Sequence, residues 1–547
     1  MKNFLPRTFW ATFLLVIALF ALHHLPPLGF KSGMVKTWFG LPADPDEITD
    51  MRRVDLLADI RVKSQTEETE DDAIDPELVE SLKKAEEMKA LAEQMVFPDS
   101  VPVDSAINAL AIQVDTVSGD TIRLDSAQIM RRKTRIVESM FKDTVQVPHG
   151  VIEIEDFDDF SNMGIDRFYE ALAHVKDRPV RIGFFGDSFI EGDIFTGSLR
   201  SLLQKQWGGK GVGYVEIAPE TAGFRTTVKH RHKGWSMHQS MKKKSFVSKK
   251  QGLACHYFTG GAGAWVEGTA TKLLFGNNNF DNTSFFYYCK GPSSIRLVAN
   301  AKDTVRFNNG GADSLISFSY ANDSLFKAHW MVSKCDSNAV FYGMAMDGKN
   351  GIILDNLSMR GHSGSQISSI PLSYLKDMHK VRDYDLIVIQ FGLNVASKFG
   401  KDFSAYQKSM EKVVRHLHEA YPNAGFLILS VGDRAYRNES GEMSTMPGVN
   451  NLSLYQKNVA VQCKVSYWNM LEAMKQEGGV YSMAKSSPSL ANMDYTHINF
   501  RGGSVMAQKL FDALKAGKEH YDRKLNFVKS HEAKTDNSVS DDSAVLP

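Results

Sequence analysis

Cysteine is scarce in this sequence, and its placement argues against several classes of site. The 547 residues include 4 cysteines: Cys255, Cys289, Cys335 and Cys463. None of them has the short spacing that is typical of zinc sites or redox motifs, and no glycine-rich phosphate-binding loop is present. We therefore expect no metal and no cofactor. A disulfide among these cysteines stays open, because the sequence does not pair them.

A surplus of either charge is also lacking. Lys and Arg together number 64, as do Asp and Glu, so the formal net charge is zero. Nucleic-acid-binding proteins usually carry a clustered basic surplus, so we do not expect nucleic acid as a partner. The composition, with 43% hydrophobic and 23% charged residues, is that of a globular protein with enough chain for more than one folding unit.

One apolar run near the N-terminus is suited to a membrane. Phe9–Leu22 follows Lys2 and Arg7; it is short for a span, but its flanks extend it. A secretory signal peptide starts in the same way. No small-residue cleavage site is evident after the run, which favours an uncleaved signal-anchor or transmembrane helix over residues 1–32. The basic flank keeps the N-terminus in the cytoplasm, so the rest of the chain is expected to be extracytoplasmic, in the periplasm.

The segment that follows, residues 33–145, is predicted to be a stalk or linker. Thr66–Glu80 is densely acidic. Within it, Asp75-Pro76 is a good helix start, with Asp as the cap and Pro in the first turn. This predicts one polar helix to about Met95, with a disordered linker as the alternative. The polar tail, residues 526–547, is predicted to be disordered.

Short apolar runs alternate with helical patterns from about Val151 onward. The runs are typical of buried parallel strands and comprise Arg178–Phe185, Gly351–Leu354, Leu386–Phe391, Phe426–Val431 and Val465–Trp468. The helical patterns lie between or after them, at Gly197–Gln206, Phe403–Tyr421, Leu454–Cys463 and Gly503–Ala516. This alternation predicts a doubly wound α/β fold with a parallel sheet.

One stretch breaks this alternation. Residues 225–349 contain short runs rich in Phe, Tyr, Val and Thr between Gly, Asn and Asp turns, such as Ser284–Cys289, Ser294–Ala299, Ser314–Tyr320 and Ala339–Met344. Many short strands separated by turns are typical of a β-sandwich or jelly roll. We predict an inserted β-sandwich domain that divides the α/β domain into a first part, residues 146–224, and a second part, residues 350–525.

A candidate nucleophile follows the first buried strand. Gly186-Asp187-Ser188 lies between that strand and a predicted helix, and doubly wound sheets bind ligands at the carboxyl ends of their strands. The hydroxyl and the backbone N–H of Ser188 would then both face the crevice. A serine hydroxyl attacks efficiently only where a base removes its proton. Considered alone, the tripeptide is more often a polar turn that caps a helix.

A candidate base lies near the end of the chain. Asp494 and His497 are three residues apart on a loop before a predicted helix. At this spacing the carboxylate can orient the imidazole and stabilise the cation that forms when His497 takes a proton. Considered alone, such a pair more often consists of two polar side chains at the protein surface with no catalytic role.

Two further strand ends carry candidate donors for a developing oxyanion. Asn394 lies in Phe391-Gly392-Leu393-Asn394, directly after a predicted strand, and its amide N–H is suited to that role. Gly361 lies in the polar segment after another strand, where a backbone N–H without a side chain can approach a ligand closely. The backbone N–H of Ser188 is the third candidate. Each residue alone is also typical of a turn or loop.

Together these segments resemble the four blocks of the SGNH hydrolase superfamily, also called GDSL-like esterases. The blocks correspond here to Gly186–Ser188, Gly361, Gly392–Asn394 and Asp494–His497. The resemblance implies a three-layer α/β/α fold, ester hydrolysis through an acyl-serine intermediate, and no cofactor. The first block continues Ser-Phe-Ile-Glu-Gly-Asp and not the commoner Ser-Leu-Thr-x-Gly, which argues against a lipase-like member.

The inserted β domain resembles that of bacterial extracytoplasmic carbohydrate or peptidoglycan O-acetylesterases. This implies removal of O-acetyl, or other short acyl, groups from a glycan outside the membrane. An acetylated polysaccharide or peptidoglycan is therefore the expected substrate. One alternative is a glycan O-acetyltransferase that works beside a membrane-bound O-acyltransferase. Another is a non-enzymatic glycan-binding protein, against which the intact Ser188, Asp494 and His497 argue.

Overall fold

The computed structural model describes residues 76–94, 112–114, 121–123, 134, 137–138, 140–158, 161–241 and 245–542. All of them belong to one compact unit, Val62–Pro547. The predicted signal-anchor, residues 1–32, lies outside the described residues. Within these ranges, no helix combines the length and the apolar character that crossing a membrane requires.

Nine α-helices have their bounds within the described ranges. They are α1 (Pro76–Gln94), α2 (Asp166–Ala171), α3 (Thr196–Trp207), α4 (Leu372–Val381), α5 (Ser404–Ala420), α6 (Pro447–Cys463), α7 (Met470–Gln476), α8 (Gly479–Lys485) and α9 (Phe500–Asp542).

Nineteen strands form in the same ranges. They are β1 (Ile112–Val114), β2 (Thr121–Arg123), β3 (Glu155–Asp156), β4 (Pro179–Gly186), β5 (Gly211–Glu216), β6 (Val228–Gln239), β7 (His256–Ala270), β8 (Phe280–Tyr288), β9 (Ser293–Ala299), β10 (Asp303–Asn309), β11 (Ile316–Leu325), β12 (Lys327–Lys334), β13 (Val340–Asp347), β14 (Gly351–Ser358), β15 (Leu386–Gln390), β16 (Gly425–Leu429), β17 (Ala435–Arg437), β18 (Met443–Thr445) and β19 (Ser466–Trp468).

The main core is built on a six-stranded sheet of order β14-β4-β15-β16-β19-β3. The first five strands are parallel, and the short edge strand β3 is antiparallel to β19. All five residues of β15 and of β16 are buried, as expected of strands covered on both faces. The predicted parallel sheet is confirmed. Because the chain runs from β4 outward to β14 and then back to β15, the strand order reverses between β4 and β15.

The helices pack in two groups. One contains α2, α3, α7 and α9, with α3 against β14; the other contains α1, α4, α5 and α6, with α6 against β16. Helices on a parallel sheet normally cover both of its faces. This grouping fits the predicted three-layer α/β/α arrangement.

A second, antiparallel sheet of nine strands forms between α3 and β14. Its own core contains the buried Trp330, stacked on Phe285 with ring centroids 5.5 Å apart. The sheet begins with β5 at Gly211, which pairs with β13, and so starts before the predicted boundary at residue 225. The predicted inserted β domain is present, but hydrogen bonds join its strands into one branched sheet and not into the two separate sheets of the predicted sandwich. The reason is that the long strands β7 and β13 each pair with three neighbours. We call it the insert sheet.

A buried ion cluster joins the two sheets. The Arg382 guanidinium, just after α4, donates to Asp347 of β13 at 2.7 Å and to Asp355 of β14. Asp355 also accepts the backbone N–H of Tyr214 in β5 at 2.8 Å. The attraction to Arg382 outweighs the effect of burial and holds the pKa of Asp355 below its usual range. The cluster therefore ties the insert sheet to an edge of the parallel sheet.

Two expectations about the flanking segments need revision. The tail is not disordered from residue 526, because α9 continues to Asp542 and Val528 is buried. No glycine or proline follows Gly517 within this helix to end it earlier. The helix predicted in the stalk is present as α1, but Leu78 and Leu82 are buried in the main core. This part of residues 33–145 thus packs against the core, at α6.

Candidate active site

The candidate residues gather where the order of the parallel strands reverses. β4 and β15 are neighbours that end in register, with Gly186 beside Gln390. Ser188 follows the end of β4 and Asn394 follows the end of β15. In open α/β sheets, the crevice at this switch point is the usual place for a ligand.

Ser188, His497 and Asp494 form a connected chain of hydrogen bonds. Ser188 Oγ lies 3.0 Å from His497 Nε2, and His497 Nδ1 lies 2.8 Å from Asp494 Oδ2. With a proton on Nδ1 directed at the carboxylate, Nε2 is left as the acceptor for the serine proton. The structure thus brings together the three residues that the sequence suggested as nucleophile, base and orienting acid.

Asp494 is held in its ionised form. Burial alone would raise its pKa, but hydrogen bonds from the His497 ring and from the backbone N–H groups of His497 and Thr496 outweigh burial. The two backbone bonds, at 3.0 and 3.1 Å, both reach Oδ1 and leave Oδ2 for the ring. The pKa of Asp494 is therefore well below its usual range.

The loop that carries His497 is fixed at both ends. An isolated bridge pairs Ala491 with Ile498, and the backbone N–H of Asn492 donates to the carbonyl of His497 at 2.8 Å. After the loop, the Asn499 side chain accepts the N–H of Arg501 at 2.9 Å, at the start of α9. The backbone N–H of Ala435 in β17 also donates to the carbonyl of Tyr495 at 3.0 Å, so local and long-range bonds together hold this loop.

The loop after Ser188 is anchored by the buried Asp193. Its carboxylate pairs with Arg200 of α3 at 2.9 Å and with Arg225, which follows β5, at 3.0 Å. Burial would raise the pKa of Asp193, but the two guanidinium groups hold it well below its usual range. Asn356 of β14 donates both to Asp193 and to the carbonyl of Ile190. Sequence reasoning did not identify this network, because its partners are up to 166 positions apart.

Asp187 is a further residue to which the sequence analysis assigned no role. Its side chain is fully buried, and it directly precedes Ser188. One carboxyl oxygen accepts the backbone N–H of Phe189 at 3.0 Å, and the other has no hydrogen-bond partner within the described part of the chain. Burial raises the pKa of Asp187 to about 6.

The candidate oxyanion donors lie on loops that contact each other. Gly361 occupies the left-handed region, φ 77°, in a turn closed by the His362 N–H and the Met359 carbonyl at 3.0 Å. Met359 in turn donates to the carbonyl of Gly186 at 2.7 Å. The Asn394 side-chain amide donates to the carbonyl of His362 at 3.0 Å. This bond uses one amide hydrogen and leaves the second for a ligand.

His362 connects this turn to the insert sheet. Nε2 of its buried ring lies 3.3 Å from Ser240 Oγ. The centroid of the ring is 6.3 Å from that of the His256 ring. His256 is bonded through Nδ1 to Glu216 at 3.0 Å. Burial lowers the pKa of His362 to about 4, so its ring is neutral near pH 7. No sequence signal marked His362, because its partners come from distant strands.

Comparison with known proteins identifies the fold. No family model matches the sequence, and no curated protein matches it. The solved structure of a peptidoglycan O-acetylesterase is similar, with TM-score 0.55, 21% identity, and coverage of 67% of this chain and 99% of that chain.

Two family two carbohydrate esterases also match. One is from Clostridium thermocellum in complex with cellohexaose, with TM-score 0.22, 11% identity and coverage of 50% and 95% of the two chains. The other is from Cellvibrio japonicus, with TM-score 0.22, 10% identity and coverage of 55% and 99%. Their TM-scores are too low to support an argument. The chain thus shares the fold of the peptidoglycan O-acetylesterase, and the predicted resemblance to SGNH-type O-acetylesterases is confirmed at the level of the fold.

Proposed function

We propose that the chain is a serine esterase of the SGNH type that removes O-acetyl, or other short acyl, groups from an extracytoplasmic glycan. The observation that carries the proposal is the connected Ser188–His497–Asp494 chain at the switch point of the sheet. The fold shared with a peptidoglycan O-acetylesterase supports a glycan ester as the substrate.

The geometry suits acyl transfer in two steps. His497 Nε2 takes the proton from Ser188 Oγ, which attacks the acetyl carbonyl carbon. The oxyanion that forms is stabilised by the N–H groups of Ser188 and Gly361 and by the Asn394 amide. His497 then gives its proton to the departing sugar oxygen, which leaves acetyl-Ser188.

Water completes the cycle. His497 removes a proton from a water molecule that attacks the acetyl-serine carbonyl, and collapse of the second intermediate releases acetate and restores the Ser188 hydroxyl. Asp494 remains ionised throughout and stabilises the imidazolium in both steps. A sugar hydroxyl in place of this water would make the same residues an O-acetyltransferase. A membrane-bound O-acyltransferase partner belongs to that alternative.

Acetate release from a panel of O-acetylated cell-wall and exopolysaccharide fragments tests the proposal. The wild-type chain should release acetate and react with a fluorophosphonate probe, whereas Ser188→Ala should do neither. Ser198→Ala is a matched control, since Ser198 lies half-buried on α3, where its hydroxyl bonds to that of Ser504. If Ser188→Ala still released acetate, the assignment of Ser188 as the nucleophile would be wrong. Acetyl transfer to an added oligosaccharide without release of acetate would favour the transferase.

The proposed location depends on residues 1–32 alone. Their apolar run supports membrane anchoring with the catalytic domain on the extracytoplasmic side. Fractionation of cells that express the full chain should place it in the membrane, and removal of residues 1–32 should release active protein. Membrane association of the truncated chain would contradict this anchor.

A further inference from the structure

A cleft open to solvent adjoins the nucleophile loop on the side of the insert sheet. Its lining includes Gly192 of that loop, Glu216 and His230 of the insert sheet, Thr221, and Ser358 at the end of β14. Ser358 pairs in register with Gly186, two residues before the nucleophile. The cleft therefore lies beside the site of acyl transfer and combines residues of both sheets.

An exposed aromatic pair stands next to this cleft. The Phe224 and Phe500 side chains are 44% and 36% exposed, with ring centroids 5.4 Å apart. The Phe224 ring lies where a Cβ on Gly192 would be, and Gly192 itself adopts the left-handed conformation. Phe500 follows His497 by three residues. The pair thus spans the nucleophile loop and the loop of the base, where exposed apolar surface often marks a binding site.

The polar groups of the cleft are suited to hydroxyl donors. One Glu216 oxygen accepts from His256, and a carboxylate has acceptor positions to spare. Burial lowers the pKa of His230 to about 3, so its ring is neutral. His230 Nε2 lies 3.1 Å from the Ile217 carbonyl and is therefore the protonated nitrogen, which makes Nδ1 an acceptor. The hydroxyls of Thr221 and Ser358 can donate or accept.

We infer that this cleft and the Phe224–Phe500 pair form the subsite for the sugar ring that bears the ester, and that this ring is uncharged and rich in hydroxyls. This inference rests on the proposed esterase function. The aromatic faces stack on the apolar face of the ring, while Glu216 and His230 accept its hydroxyl hydrogens. Arg225 also lines the cleft, but its guanidinium is paired with Asp193 and donates to two backbone carbonyls. A sugar carboxylate in the cleft would therefore be repelled by Glu216.

A comparison of two substrates separates this subsite from the catalytic groups. The first is an O-acetylated neutral oligosaccharide, and the second is 4-nitrophenyl acetate, which has no sugar. The measured quantity is the kcat/KM for the oligosaccharide divided by the kcat/KM for 4-nitrophenyl acetate. Phe224→Ala and Glu216→Gln should each lower this ratio by about tenfold, as expected for the loss of one stacking or hydrogen-bonding contact. The loss should appear as a higher KM for the oligosaccharide.

Matched controls exist on the same chain. Phe326, 48% exposed in the turn between β11 and β12, is the control for Phe224. Glu153, exposed before β3, is the control for Glu216. Phe326→Ala and Glu153→Gln should leave the ratio unchanged. An unchanged ratio in both cleft variants, or a preference for an acetylated uronic acid over the neutral sugar, would overturn the subsite.

Direct binding tests the subsite apart from the chemistry. The Ser188→Ala chain should bind the acetylated neutral oligosaccharide in calorimetry, and adding Phe224→Ala should weaken that binding about tenfold. Equal binding by both chains would overturn the subsite whether or not the wild type is an esterase. Loss of acetate release and of fluorophosphonate labelling in the wild type, with oligosaccharide binding intact, would instead overturn the proposed function.

Discussion

The buried carboxyl of Asp187 makes a prediction that can be tested by pH. Asp187 lies directly between β4 and the nucleophile, and burial raises its pKa in the folded protein to about 6 from an ordinary value of 3.8. Asp187→Asn removes this ionisation and nearly preserves the size of the side chain. The substitution therefore isolates the cost of a buried negative charge beside Ser188.

The sign and size of the effect follow from the two pKa values. Below about pH 4 the carboxyl is protonated in the folded and unfolded states, and its ionisation contributes nothing. Between about pH 4 and 6 the unfolded chain loses this proton first, so wild-type stability falls as pH rises. Above about pH 6 both states are ionised, and the folded state bears the whole difference, about two pKa units or roughly 3 kcal/mol. The Asp187→Asn variant does not carry this cost, because its side chain does not ionise.

Thermal unfolding of both full chains at pH 4 and pH 7.5 measures this difference. The Tm of Asp187→Asn minus that of the wild type should rise by roughly 3 °C between the two pH values, because the unfolding entropy of the compact unit Val62–Pro547 corresponds to about 1 kcal/mol per °C. Any pH-independent cost of the new amide cancels in this comparison. Asp156, whose pKa burial also raises to about 6, is present in both chains and cancels too. A Tm difference between the two chains that is the same at pH 4 and pH 7.5 would refute the reasoning.

Three further substitutions test the catalytic groups and the link between the sheets. Asn394→Ala should lower kcat about a hundredfold with little change in KM, because an oxyanion donor acts in the transition state; a change confined to KM would make Asn394 a substrate-binding residue. Asp494→Asn should lower kcat about 10⁴-fold through the wrong histidine tautomer, and wild-type rates would show that Asp494 does not orient the ring. Arg382→Met should reduce the free energy of unfolding in urea by about 3–5 kcal/mol, since it leaves two buried carboxylates unpaired; an unchanged value would contradict this.

The parallel sheet was predictable because its strands carry a strong local signal. The run Leu386–Phe391 predicts the strand observed at Leu386–Gln390, and Arg178–Phe185 predicts Pro179–Gly186. Strands buried on both faces need apolar side chains at nearly every position, which few other short elements require. The polar residues that follow such strands then indicated the site, since parallel strands end on the same side of the sheet.

The start of the insert sheet was not predictable from local pattern. β5 reads Gly-Val-Gly-Tyr-Val-Glu and is almost wholly buried, so it looks like another strand of the α/β domain. Its assignment to the insert sheet depends on pairing with β13, more than 120 positions later in the chain. Pairing over that distance depends on tertiary packing, which short strands do not encode individually.

The contacts around the nucleophile loop argue that the insert sheet is part of the catalytic structure and not a removable module. Asp193 holds that loop with two guanidinium groups, and one of them, Arg225, comes from the insert side. The turn that carries Gly361 is held through His362 by Ser240, which follows β6. Deleting the insert would therefore remove one counter-charge from a buried carboxylate, which costs several kcal/mol, and would free the turn that presents an oxyanion donor. In the proposed function, contact with the glycan and the geometry of acyl transfer would therefore depend on the same segments of the insert.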